Sequence, residues 1–328
     1  MLSSPRLTVI TAGLATALLA LTACGSGLSE GGADTGKGPC TGVEPGSVDP
    51  AALKGVTVKV GSKEFDEQLL LGQLTLKMMC AAGAKAVDET NSKGASQTRA
   101  KLTRGESDIY WEYTGTAWVD FLKQKPIFDP EQQYDAVKKL DLEKNGVVWG
   151  QRAPFNNTYA FAVSDAFAKK NNVETDSDMA AYLNAHTSSK VCVESEFLSR
   201  VDGYPGFKKA YAVTGGTTTS LGIGVIYTQT GKGACDFGEV FTTDGRISAL
   251  GLHVLKDDKS FFPVYNAVPQ VMKKTDEEHP EILQVLKPLA ETLTTPVMQE
   301  LNAEVSAKGE EPAAVATEFL KEKGFLKQ

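Results

Sequence analysis

From residue 56 onward the chain alternates two kinds of apolar spacing. Val56-Thr57-Val58-Lys59-Val60 has a period of two and predicts a strand; residues 65–82 are a mostly apolar helix that Gly83 stops. Residues 85–88 predict a short strand, 95–104 a helix ended by Gly105, and 108–113 another strand. A second set starts with a strand at 159–163, followed by helices at 165–171 and 176–184. Residues 191–193 and 235–237 read as neighbouring strands, with helical segments near Phe207 and over 221–230 between them. The C-terminal part is helical: Ile282, Val285, Leu286 and Leu289 share one face, Thr295-Pro296 supplies an N-cap and first-turn pair, and Val297, Leu301 and Val305 follow on one face. Strands alternating with helices predict an α/β fold with largely parallel sheets.

The pattern before residue 56 is different. Residues 7–21 are an uncharged apolar run behind a start whose only basic residue is Arg6, which is the layout of a secretory leader and short for a spanning helix of about 20 residues. Leu21-Thr22-Ala23-Cys24 resembles a bacterial lipoprotein signal, in which the cysteine thiol receives lipid and the leader is cut just before it. Residues 1–23 are therefore expected to be a signal peptide, with Cys24 lipidated and the mature protein held outside the cytoplasm on the cell membrane. Residues 24–55 are rich in Gly, Ser, Asp and Pro and read as a flexible tether.

Charge narrows the function. A formal net charge of -7, with no Lys/Arg block, argues against binding nucleic acid or an anionic membrane surface. Besides Cys24 there are four cysteines, Cys40, Cys80, Cys192 and Cys235, an even set in an oxidising compartment, which predicts two disulfides. No CxxC occurs, and His186, His253 and His279 are isolated, so no metal site is expected. Motifs of catalysis fail as well: there is no GxSxG or HExxH, and Gly231-Lys232 lacks the rest of a phosphate loop. Gly215-Gly216 before Thr217-Thr218-Thr219 reads as a loop and helix cap, and Glu194 with Glu196 as a pair of acids on a solvated edge. No enzyme is expected, and no cofactor.

Four aromatic residues stand inside short polar, turn-like sequences where a predicted strand gives way to a loop: Tyr113, Tyr159, Phe241 and Tyr265. In open α/β sheets ligands bind at such places. Together with Gly61-Ser62-Lys63-Glu64-Phe65 they form a set of blocks, GSKEFDEQ, SDIYWEYTGT, NNTYAFAV, RVDGYPGFKKAY, FTTDGRI and DDKSFFPVYNAVP. In order and content these resemble the glycine betaine/carnitine/choline substrate-binding proteins of ABC transporters, the type found in osmoprotectant uptake.

The resemblance implies a two-lobed periplasmic-binding-protein fold of type II. Each lobe would be a mostly parallel sheet flanked by helices, with lobe I at 56–154 and 265–328, lobe II at 155–264, and two hinge crossings between them. Of the three possible disulfide pairings, Cys40 with Cys80 and Cys192 with Cys235 is preferred, since each bridge then stays within one half. The resemblance also places an aromatic cage on Tyr113, Tyr159, Phe241 and Tyr265, with Lys63, Thr116, Asn157 and Arg200 as polar neighbours. A trimethylammonium group has a permanent charge and no N–H to donate, so aromatic faces hold it by cation–π attraction, about 2 kcal/mol or more per desolvated contact. Lys63 and Arg200 would meet a ligand carboxylate. Phe241 stands where relatives often carry tyrosine, which leaves ligand choice open, and Trp111 and Trp118 flank the Tyr113 block.

The expected function is capture of a quaternary-ammonium compatible solute for import by a membrane permease and its ATPase subunit, the binding protein acting as a monomer. Glycine betaine leads, with choline, carnitine and proline betaine behind. The alternatives are another polar solute on the same fold, such as ectoine or an amino acid, and an extracytoplasmic enzyme.

Overall fold

The period-two segment opens β1 (Thr57–Lys63), and the apolar run behind it forms α1 (Asp66–Ala81), which buries Leu70, Leu71, Leu74 and Met78 completely. A helix apolar on most sides belongs inside a core, and α1 packs between the first sheet and the C-terminal helices. The structure, a computed structural model, describes residues 38–328; Cys24 and the apolar leader lie outside the described residues.

Ten strands build two sheets. In chain order they are β1, β2 (Lys85–Ser92), β3 (Ile109–Tyr113), β4 (Val147–Trp149), β5 (Tyr159–Ser164), β6 (Lys190–Val193), β7 (Thr217–Ser220), β8 (Phe237–Phe241), β9 (Leu252–Val254) and β10 (Ala267–Met272). The first sheet runs β2-β1-β3-β10-β4 and the second β7-β6-β8-β5-β9. The chain thus leaves the first sheet after β4, forms the second, and returns at β10. The two passages lie side by side: Asn157 N–H donates to Tyr265 O at 3.0 Å, and Tyr265 N–H to Asn156 Oδ1 at 2.7 Å.

The expected mostly parallel sheets are found, with one strand of each running against the other four, so both sheets are mixed. β1 is parallel to β2 and β3, but β10 is antiparallel to β3 and β4; likewise β6 is parallel to β7 and β8, but β5 is antiparallel to β8 and β9. The reason is where the chain enters. Strands reached through a helix on the sheet face run toward the cleft, whereas β5 and β10 come straight from a passage and start at the cleft. Residues that end β1, β3 and β8 and residues that begin β5 and β10 therefore meet at one edge.

Part of the expected tether is ordered. Residues 38–55 pack on the first half of the fold: Leu53 is fully buried, Gly46 N–H donates to Phe325 O at 2.9 Å, and Lys327 N–H to Glu44 O at 3.0 Å. The Gly/Pro-rich composition hid the few apolar anchors, Val48 and Leu53, that make this possible. Cys40 is also bonded to Cys80 (Cα–Cα 5.2 Å), and Cys192 to Cys235 (5.9 Å), the two pairings preferred from sequence.

Two further helices border the cleft or its back, α2 (Gly94–Thr103) and α3 (Pro130–Asn145). The latter begins with Asp129 accepting from Gln132 N–H and ends at Gly146 in the left-handed region, φ 65°. Gly215-Gly216, read as a loop before a helix, leads instead into the exposed edge strand β7. The cap expected at Thr295 belongs to Thr294, whose hydroxyl accepts from Val297 N–H. No helix among the described residues is long and apolar enough to cross a membrane.

Candidate ligand-binding site

The cleft edge forms a small, partly open pocket walled mainly by apolar and aromatic side chains. Tyr113 ends β3, Phe241 ends β8, Tyr159 begins β5 and Tyr265 stands two residues before β10. All four rings line the cavity, and so do Lys63, Thr116 and Asn157. Tyr159 is the register partner of Phe241, with ring centroids 5.2 Å apart, and Tyr265 meets Tyr159 edge-on, also at 5.2 Å. Gly115 permits this packing, because a Cβ there would stand 2.6 Å from the Tyr265 ring. Thr116 then opens a π-helical turn, Thr116–Phe121.

A fifth ring completes the wall. Phe65, the N-cap residue of α1, stacks on Phe241 at 5.4 Å and faces Tyr113 at 6.2 Å. Its place in the Lys63-Glu64-Phe65 block was the available signal, but an apolar residue at the start of an apolar helix reads as core. Glu64, Gly94, Glu194, Glu196 and Ile223 also line the cavity unforeseen. Glu194 follows β6 at the N-cap position of a five-residue helix, Ser195–Ser199, without a side-chain cap bond, and it and Glu196 line the cavity rather than a solvated edge.

Arg200 is not where the resemblance put it. It does not line the cavity; its guanidinium grips Asp202 bidentately, Nε to Oδ1 at 2.9 Å and Nη2 to Oδ2 at 2.6 Å, and lies 5.7 Å from the Tyr159 centroid. Asp202 Oδ2 also accepts the Tyr265 hydroxyl at 2.7 Å. Arg200 therefore braces two cage rings from behind. Lys63 is at the wall, but its ammonium is 2.6 Å from Glu112 Oε1 and 5.0 Å from the Tyr113 centroid. Trp111 and Trp118 stay out of the lining; Trp111 Nε1–H donates to Thr75 Oγ1 at 2.8 Å in the core.

Behind the rings lies a buried carboxylate. Glu67 of α1 accepts from Tyr113 Oη (2.7 Å), Asn157 Nδ2 (2.8 Å), Thr243 Oγ1 (2.5 Å) and Asn302 Nδ2 (2.7 Å). It fixes one cage ring and one passage while tying α1 to the loop after β8. Burial pushes its carboxyl above the usual range, and the donors pull it back. Glu194 is pushed up to about 7, first by burial and then by Glu196 and Glu64, with Lys63 and Arg200 acting the other way.

Contacts across the cleft close it. Ala95 N–H at the start of α2 donates to Glu196 Oε2 at 3.1 Å, and Arg246 Nη2 lies 3.2 Å from Asp66.

The substrate-binding domain of ABC-type glycine betaine transport systems matches residues 56–322. The chain belongs to this family. Members of this family bind solutes for ABC transporters and are not enzymes. The glycine betaine-binding protein YehZ of Escherichia coli is 34% identical over 282 residues, covering 82% of this chain and 92% of that one. The carnitine transport binding protein OpuCC of Listeria monocytogenes is 34% identical over 274 residues, covering 82% and 88%. A crystal structure of a glycine betaine/carnitine/choline ABC transporter superposes with a TM-score of 0.67 at 32% identity, covering 82% of this chain and 98% of the other. The fold is that of the type II periplasmic binding proteins.

Proposed function

We propose that the cavity holds the trimethylammonium group of a compatible solute within Tyr113, Tyr159, Phe241, Tyr265 and Phe65. The class is that of glycine betaine, choline and carnitine, and the protein hands it to an ABC permease. The observation that carries this reading is the convergence of five aromatic rings with three glutamates on one cavity. Rings supply quadrupole attraction to a cation without asking for hydrogen bonds, and carboxylates add long-range attraction in a poorly screened place. Neutral sugars or amino acids would ask instead for ordered donors and acceptors.

Closure is part of the proposal. The cage draws Phe65 and Tyr113 from one half of the chain and Tyr159 and Phe241 from the other, so a ligand that touches all of them binds the closed arrangement better and shifts the population toward it. Residues 56–154 with 265–328 would form one moving lobe and 155–264 the other. Attachment through lipid at Cys24 would keep the protein beside its permease.

A thermal-shift panel of solutes tests the reading. A true ligand at 100 times its Kd stabilises the protein by about 2.7 kcal/mol, a clear rise in Tm. A quaternary ammonium should give that rise; a panel in which only sugars or ordinary amino acids do so would contradict it. Intact mass of the membrane-purified protein checks the anchor, which fails if the chain retains residues 1–23 or carries no lipid.

A further inference from the structure

We propose that a groove outside the cage, between residues 119–126 and 201–210, docks an acidic, apolar-tipped loop of the ABC permease. The inference rests on the transport reading above and names the surface that the partner touches.

The groove shares no lining residue with the ligand pocket. Val119, Val201 and Phe261 give it an apolar floor, and Lys123, Lys125 and Lys209 stand around them. Val201 is 70% exposed. An apolar floor with a polar rim is the pattern of a surface that another protein covers. Lys123 is paired, its ammonium 3.0 Å from Asp120 Oδ1, but Lys125 and Lys209 are exposed and stand in no ion pair among the described residues. The acid in the lining, Asp202, is buried and already held by Arg200. In a chain of formal net charge -7 the lysines are a local excess of positive charge, so the complementary occupant carries carboxylates beside an apolar side chain.

The groove is built in advance. On one wall Trp118 Nε1–H donates to Lys125 O at 2.7 Å and Gln124 N–H to Trp118 O at 3.0 Å, which fastens the loop that carries two of the lysines. On the other, a Cβ at Gly206 would stand 2.0 Å from Val201 O and 2.9 Å from the Phe261 ring, so glycine lets both meet the helix Tyr204–Tyr211. A preformed surface loses little conformational freedom when it is covered.

Position points to the partner. Residues 119–126 lie between β3 and β4, and residues 201–210 between β6 and β7, so the groove is whole only when the two halves of the chain are together. Asp202 accepts the Tyr265 hydroxyl at 2.7 Å, and Arg200 beside it lies 3.3 Å from Glu196 and 3.8 Å from Asp120. A molecule seated in the groove is thus one side chain from the cage, and its binding and the solute's are coupled reciprocally. That coupling serves a partner that receives the loaded protein and takes its solute, which is the permease; a second copy or a lipid surface has no use for it.

Photo-cross-linking and uptake test this with the full-length protein in its own membrane. With p-benzoylphenylalanine in place of Val201, a cross-link to the permease subunit is expected by peptide mass spectrometry, and Lys125→Glu with Lys209→Glu should abolish it. The same double variant should cut uptake of labelled glycine betaine and choline by about tenfold or more, while its calorimetric affinity for them stays within about twofold of the parent. Lys169→Glu with Lys170→Glu, on exposed lysines of the helix Asp165–Asn171, should change neither. Full uptake by the Lys125/Lys209 variant overturns the docking surface, as does a cross-link from position 201 to lipid or to a second copy alone. Cross-linking reads docking without a known solute: a parent that binds and transports neither compound contradicts the cage, while a product between position 201 and the permease still upholds the surface.

Discussion

Phe65 and Phe241 stack with ring centroids 5.4 Å apart, although one opens α1 beside the first sheet and the other ends β8 in the second. The pair is thus a wall made across the cleft. Replacing Phe65 with Ala should weaken a quaternary-ammonium ligand by about 1.5–3 kcal/mol, combining lost cation–π attraction with lost apolar cover. Because Phe65 is only half-buried, the Tm of the empty protein should move little. Titration calorimetry beside a thermal melt separates the two; a large fall in Tm with unchanged affinity would make Phe65 a core residue.

Glu67 gives a different expectation. Asn157 Nδ2 donates to one carboxylate oxygen and Asn302 Nδ2 to the other, so in Glu67→Gln the new amide N–H₂ faces one of these donors and leaves it unmet. A loss of about 1–3 kcal/mol is expected, read by urea denaturation, together with a less compact average in small-angle scattering as the tie to Thr243 weakens. Stability equal to the parent would contradict the hub.

Much of this was legible from the residues. Strands at 56–60, 108–113 and 159–163 and the helix at 65–82 follow from spacing alone, since one buried face imposes its period on the chain. The positions of Tyr113, Tyr159, Phe241 and Tyr265 came from their turn-like contexts together with the family blocks. Charge pairing was not legible. Lys63 and Glu112 are 49 residues apart, and only the parallel arrangement of β1 and β3 makes them partners. Asp202, by contrast, stands two residues from Arg200, a local hint that the guanidinium already had a partner. Glu194 and Glu196 would share a side in an extended segment, but a helix starts at Ser195, and both line the cavity. β10 is masked as a strand by Pro269 in its middle, and nothing in its residues marks its antiparallel direction.

Removing the Cys192–Cys235 bridge by a double Ser substitution releases a loop of sequence separation 43. Chain entropy puts the cost at about 4 kcal/mol, and lower where the unfolded chain keeps structure. Both sulfurs are buried beside Ile226, so the variant should also lose packing under β6. Chemical denaturation measures this, and a change below about 1 kcal/mol would contradict it.

The pH dependence has a defined sign. Glu194 ordinarily titrates near 4.5 and in the folded protein near 7, raised by burial, Glu196 and Glu64 against Lys63 and Arg200; its own N–H donates to Glu239, another carboxyl pushed up by burial. The empty protein holds that proton where the unfolded chain does not, so this stability contribution is present below about 4.5 and is lost as pH rises through about 7. A cationic ligand favours ionised Glu194, so affinity should climb between pH 6 and 8, and Glu194→Gln should flatten both trends. Melts and titrations across that range check it; affinity falling with rising pH would contradict it.

Recognition of a cation by aromatic faces is the central claim, and a neutral isostere tests it most directly. Choline and its tert-butyl analogue, 3,3-dimethylbutan-1-ol, share shape and hydroxyl and differ in charge. By titration calorimetry the charged ligand should bind at least tenfold more tightly, about 1.4 kcal/mol. Equal affinity for the two would show that the rings recognise shape alone and would contradict the account.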